Sequence, residues 1–134
     1  MKKLIAPAVL ALSVAGLIGT QAPAHATAAA PAATVTLQGR VLNSSTLAPV
    51  AGVVVTARDV VDRSHVYART TSGSMGYFTL NVPADMDEFA VAMNGVSVSY
   101  EYGWVSCAHT VVATWGAACS HGAGILGNVR IDHA

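Results

Sequence analysis

Hydrophobic and polar positions alternate in short bursts along most of this chain. From Thr34 onward the runs are β-branched and brief, and Gly, Pro and Asn cut them. No stretch sustains the 3.6-residue repeat of an amphipathic helix, so the pattern predicts strands. "TVTLQGRVLN" puts Val35, Leu37, Gly39 and Val41 on one face. "GVVVTARD" does the same with Val53, Val55 and Ala57, and "SHVYARTT" is a weaker third run. "GYFTLNV" turns Phe78, Leu80 and Val82 inward, and "EFAVAMN" turns Phe89, Val91 and Met93 inward. "GVSVSYEYGW" alternates most cleanly, with Val96, Val98, Tyr100, Tyr102 and Trp104 expected in the core. "ILGNVRID" closes the set with Ile125, Val129 and Ile131. Turn signals at "LAPVAG", "SGSMG", "PADMD" and "NG" separate the runs. Seven or eight short strands, each with one face to bury, predict an all-β antiparallel sandwich.

The first residues have a different character. "MKK" is a basic start, "LIAPAVLALSVAGLIG" an apolar core of signal-peptide length, and "APAHA" a small-residue cleavage site ending at Ala26. The run is shorter than a membrane span and carries Pro7. The expected organisation is a cleaved signal peptide at 1–26, a flexible Ala-rich lead-in at 27–33, and one domain at 34–134. The expected location is extracellular, with no stable membrane insertion after cleavage.

Cleavage changes the charge. Lys2 and Lys3 are the only lysines, so the remainder holds five arginines against seven acidic residues, a net near −2. Nucleic-acid binding needs clustered cations to neutralise phosphates, and this chain has none. The expected partner is an extracellular protein or a polysaccharide.

Two ordered motifs carry a resemblance. "GRV" (39–41) followed by "APVAGVVV" (48–55) matches G-x-V, a turn, then P-(L/V)-x-G-x-x-V. "TTSGSMGYFTLNVPA" (70–84) matches T-(T/S)-x-x-x-G-x-(F/Y) running into a strand and a proline. Residues 35 to about 94 thus resemble the carboxypeptidase regulatory-like domain, a transthyretin-like (prealbumin-like) sandwich found beside many secreted enzymes. The resemblance implies that fold and a non-catalytic habit of binding or supporting partners. Ser72 and Ser74 stand where the family usually has acidic residues or Asn, and 107–119 has no counterpart. The lysine-dependent cross-link of the related pilin domains is impossible without a lysine in the domain. The C-terminal "RIDHA" lacks the Tyr-Arg-Gly-Ser-like tail of the hydroxyisourate hydrolases.

Candidate chemistry concentrates in "WVSCAHTVVATWGAACSHG", where Cys-x-His occurs twice. Zinc wants four converging ligands, and Cys107, His109, Cys119 and His121 nominally supply them. In a simple hairpin pairing 107 with 119, however, the histidines fall on opposite sides of the cysteines, ~13 Å apart. A disulfide between Cys107 and Cys119 is expected instead, worth roughly 3 kcal/mol for a loop of that order. Trp115, in a Gly-flanked loop, heads the candidate ligand surface, with Tyr102, Trp104, His109 and His121. Asp85, Asp87 and Glu88 form an acidic turn that reads as solvated rather than calcium-binding. "SGSMG" lacks the first glycine of a Gly-x-Ser-x-Gly elbow, and no spacing singles out a triad. His65 and His133, like His109 and His121, read as surface or turn residues rather than bases. No cofactor, no metal and no enzymatic activity are expected. Two rival functions remain: a carbohydrate- or cell-wall-binding module using exposed aromatics, and a small-ligand carrier resembling chromoprotein apoproteins.

Overall fold

The structure, a computed structural model, describes residues 31–134; the expected signal peptide and most of the lead-in lie outside them. The described residues form nine strands: β1 Thr34–Asn43, β2 Val54–Arg58, β3 Val66–Thr71, β4 Tyr77–Pro83, β5 Phe89–Asn94, β6 Tyr102–Val105, β7 Val111–Val112, β8 Ser120–His121 and β9 Gly124–Ile131. They make two sheets. The smaller has the order β4-β1-β9; the larger runs β3-β2-β5-β6-β7, with β8 added to β5. The sandwich expected from the alternation is therefore present, with two very short strands, β7 and β8, added to the seven runs read from the sequence. One pairing departs from the antiparallel expectation, because β9 runs parallel to β1. A last strand can join a first strand in that sense when the chain crosses between sheets before returning. No described helix is long and apolar enough to cross a membrane.

The core lies between the sheets and is assembled from the alternating positions. Leu37 and Val41 of β1, Val53 before β2, and Val55 and Ala57 within it are fully buried. Phe78, Leu80 and Val82 of β4 and Phe89, Val91 and Met93 of β5 meet them from either side. Each large side chain buried in this way contributes about 1.5–3 kcal/mol. Val35 is a correction: it sits near the free start of β1 and is 40% exposed.

The turns use the residues the motifs supplied. Gly52 and Gly76 have φ of +82° and +80°, a region where a Cβ is strained. Ser72 is buried at the first of these turns. Its Oγ accepts from the Val53 N–H at 3.0 Å and donates to the Val50 carbonyl at 2.8 Å. A hydroxyl can satisfy both neighbours, which gives this serine a structural task.

Two larger corrections concern the second half of the chain. Residues 96–104 are not one strand. Val96–Val98 form a 3-10 turn, Ser99 adopts φ +68°, and the strand begins only at Tyr102. The left-handed residue breaks the two-residue repeat, and a one-residue slip exchanges the two faces of a strand. Gly103 and Val105 consequently face the core, Val96 is 64% exposed, and Tyr102 and Trp104 point outward. Of the three aromatics in this run only Tyr100 packs against the core, and its hydroxyl accepts from Asn43 Nδ2 at 3.1 Å. The second correction is at β9. A bulge sets Gln38 opposite Ile125 but Gly39 opposite Gly127. Leu126 takes the core position, and Ile125 is 81% exposed.

Candidate functional site

The outward face of the larger sheet gathers most of the candidate residues. Register places Tyr102 beside Asn94 and Trp104 beside Ala92. On the other flank of β5, Thr56 and Arg58 of β2 lie beside Ala92 and Ala90. The Arg58 guanidinium sits 5.8 Å from the Trp104 ring centroid. Because β5 runs between β2 and β6, that contact passes over β5. It accounts for the outward-facing alanines 90 and 92 being buried. Trp115, in a 3-10 turn at Trp115–Ala117, meets Trp104 edge to face, with centroids 5.6 Å apart and planes at 75°. Arg63 lies over the Trp115 ring at 4.8 Å. The four side chains form one continuous series, Arg58–Trp104–Trp115–Arg63, with both tryptophans half-buried and Tyr102 exposed beside it.

Local hydrogen bonds hold the two arginines in place. Arg58 Nε donates to Thr56 Oγ1 and its Nη1 to the Arg63 carbonyl, each at 3.0 Å. Arg63 Nη1 donates to the Val60 carbonyl at 2.9 Å. The loop between β2 and β3 is organised by Asp59, whose Oδ1 accepts from the Val61 and Asp62 N–H groups. Its Oδ2 accepts from the Tyr67 hydroxyl at 2.7 Å. The Tyr67 hydrogen bond, followed by the backbone ones, holds the Asp59 carboxyl below its ordinary range. The same bond raises Tyr67. A cation over an exposed ring contributes about 0.5–1 kcal/mol and an aromatic pair about as much again.

Cys107 and Cys119 are joined by a disulfide, with Cα atoms 5.2 Å apart. The expected hairpin around it is absent. Cys107 lies in a turn closed by the Ser106 amide on the Thr110 carbonyl, and His109 within it has φ +58°. His121 instead belongs to β8, opposite Phe89. These departures bring the histidine rings to 5.9 Å between centroids, tilted by 56°, which corrects the wide separation expected from a regular hairpin. His121 Nε2 is 3.2 Å from the Val105 carbonyl oxygen. Burial, and to a lesser degree His109, lowers the His121 pKa against the opposing effect of that carbonyl. With both sulfurs in the bridge, a Cys2His2 tetrahedron cannot form in this state.

The two histidines therefore stand apart from the tryptophan face: Ser120 shares the outward phase of Ala90, whereas His121 shares the inward phase of Phe89. A cleft of about 330 Å³ near the disulfide is lined by Leu42, Leu47, Ala108, His109, Asn128 and Arg130. Among the acidic turn residues, Glu88 accepts from Ser120 Oγ at 2.8 Å and so fastens that turn to β8. Arg58 and Arg63 were not singled out from sequence. Arg58 could have been found by its outward phase on β2, but nothing local points Arg63 at Trp115. Compared with protein-family models and with curated proteins, the chain gives no match.

Proposed function

We propose that this is a secreted, non-enzymatic interaction protein that contacts another extracellular protein through the Arg58–Trp104–Trp115–Arg63 face, with Tyr102 at its margin. The observation that carries the reading is the assembly of two tryptophans, a tyrosine and two arginines on one outward sheet face. Trp, Tyr and Arg are the residues most enriched among interface hot spots. The 75° angle between the indoles favours a protein ligand over a flat saccharide platform, since successive sugar rings could not stack on both. The family resemblance is part of the same proposal, and the glycine turns at 52 and 76 support it. The disulfide is compatible with an oxidising compartment.

The test is site-specific photocrosslinking in the native host, with a benzophenone amino acid at position 102 and, as control, at position 36. A single discrete adduct with another exported protein from position 102, absent from position 36, is the expected result. Trp104→Ala should weaken the isolated complex at least about tenfold, as hot-spot truncation does. Equal adduct patterns from the two positions would sink the reading.

A further inference from the structure

The outward face of the smaller sheet has a different chemistry and no part in the site above. Register lines up two cross-strand rows across β4, β1 and β9: Thr79–Gln38–Ile125 and Tyr77–Arg40–Asn128. These six side chains surround an open depression of about 250 Å³. None of its lining residues is acidic, and Arg40 is its one charged group.

The β9 bulge creates this arrangement. Regular alternation would send residues 125 and 128 to opposite faces. The extra residue, Leu126, turns into the core, so an isoleucine and an asparagine share the outer face. Bulges commonly re-aim side chains beside functional sites. The backbone of β1 at Gly39 lines the floor; a Cβ there would point to the core side, where it would meet the Gly127 carbonyl oxygen at 2.7 Å and Phe78 Cζ at 2.8 Å. Arg40 is positioned in advance: Nε donates to the Met75 carbonyl at 2.8 Å, and the guanidinium lies 4.8 Å from the Tyr77 ring centroid. That bond uses one of its five N–H donors. Tyr77 is 61% exposed and Ile125 81%, so apolar surface stays open at the depression's rim.

The set of groups matches one ligand class. A pyranose ring offers an apolar C–H face and a rim of hydroxyls. Tyr77 and Ile125 suit the first; Gln38, Thr79 and Asn128, which each donate and accept, suit the second. The free edge of a planar guanidinium selects a carboxylate through paired, charge-assisted hydrogen bonds. The depression is smaller and more open than the roughly 300–1,000 Å³ pockets that engulf small molecules, so its occupant is one residue of a longer chain lying across the sheet. We infer that this face binds a uronic-acid-containing glycan, with the uronate carboxylate on Arg40.

The test is a backbone-amide NMR titration of the oxidised, isotope-labelled protein with tetragalacturonate and with a hyaluronan tetrasaccharide. Maltotetraose serves as the neutral probe. Expected are saturable shifts confined to residues 38–40, 77–79 and 125–128, with at least one acidic probe about tenfold tighter than the neutral one. Arg40→Gln should weaken that binding about tenfold and Asn128→Ala about threefold; Arg58→Gln should leave it unchanged. Asn128 is exposed and outside the core, so its variant keeps the test sound if Arg40→Gln perturbs the fold. Three results overturn the inference: no saturable shift with either acidic probe at roughly 10 mM, equal affinity for maltotetraose, or shifts centred on 102–104 and 115. Because the photocrosslink probes the opposite sheet, failure of one reading leaves the other standing.

Discussion

The two sheets of this sandwich turn very different faces to solvent. The larger sheet covers its own surface: Arg58 reaches across β5, and Trp104, Trp115 and Arg63 complete a series that leaves Ala90 and Ala92 buried on their outward side. The smaller sheet leaves the part of its surface around Gln38 and Arg40 open, with Tyr77 and Ile125 projecting beside polar neighbours, although Leu42 farther along β1 is covered. The difference has a structural source. The larger face depends on loops 59–65 and 113–119, the second of which ends at the disulfide. The open face around Tyr77 and Gln38 rests on β1 and β4, and only the far edge, at β9, meets the 107–109 turn, where the Arg130 N–H donates to the His109 carbonyl. An outward position in a strand is thus not equivalent to an accessible one; what the loops lay over it decides.

Removing the bridge should break that dependence most strongly. Cys107→Ser with Cys119→Ser should cost about 3 kcal/mol in urea unfolding. Hydrogen exchange should accelerate through 102–121 while 37–41 and 78–82 stay protected. Equal loosening of both regions would show that the faces are not separately supported. Next in size is a pair of aromatic deletions. Trp104→Ala should cost about 2 kcal/mol, since it uncovers Ala92 and removes two ring contacts. Tyr77→Ala, on the open face, should cost less than about 0.5 kcal/mol; similar losses in thermal or chemical unfolding would contradict the contrast. Gly39→Ala comes third, at about 1 kcal/mol, because the added methyl forces the Phe78 ring and the Gly127 carbonyl apart. Its readout is the urea midpoint, with shifts concentrated in β1, β4 and β9.

The smallest expected effect is of pH. Burial lowers the His121 pKa in the folded state below its ordinary value of 6.5. The unfolded chain then binds the proton more readily, so this contribution is full above that value and is lost as pH falls below it, levelling off beneath the folded pKa. The thermal midpoint should be lower at about pH 5 than at about pH 7.5, and His121→Gln should remove part of the difference. An unchanged pH profile in that variant would exclude His121 as a contributor.

The first half of the chain was the more legible. Leu37, Val41, Val55, Phe78, Leu80, Val82, Phe89, Val91 and Met93 occupy the core as alternation predicts. β1 with β4 and β2 with β5 keep an unbroken register between turns marked by glycine, serine or proline, and a strand in regular register obeys its period. Legibility failed at residues 96–104 and at Ile125. Each failure follows one local event, the left-handed Ser99 and the bulge opposite Gln38 and Gly39. Such an event inverts the assignments on one side of it, Tyr102 and Trp104 after Ser99 and Ile125 before the bulge, while Val129 and Ile131 keep their expected core places. For the candidate site, the tryptophans, Tyr102 and the cysteine pair were visible as residue types, but their neighbours were not.

Sequence alone determined the all-β class, the turn positions, the core of β2, β4 and β5, and the pairing of the only two cysteines. Those features depend on local periodicity, on backbone freedom at particular residues, or on simple counting. Tertiary structure decided the parallel joining of β9 to β1, the outward turn of Tyr102 and Trp104, and the approach of His109 to His121. It also decided that Arg63 covers Trp115, and that Arg40, Tyr77 and Asn128 share one face. These are relations between segments distant in the chain. Their energies come from contacts that exist only once both sheets have closed on a common core.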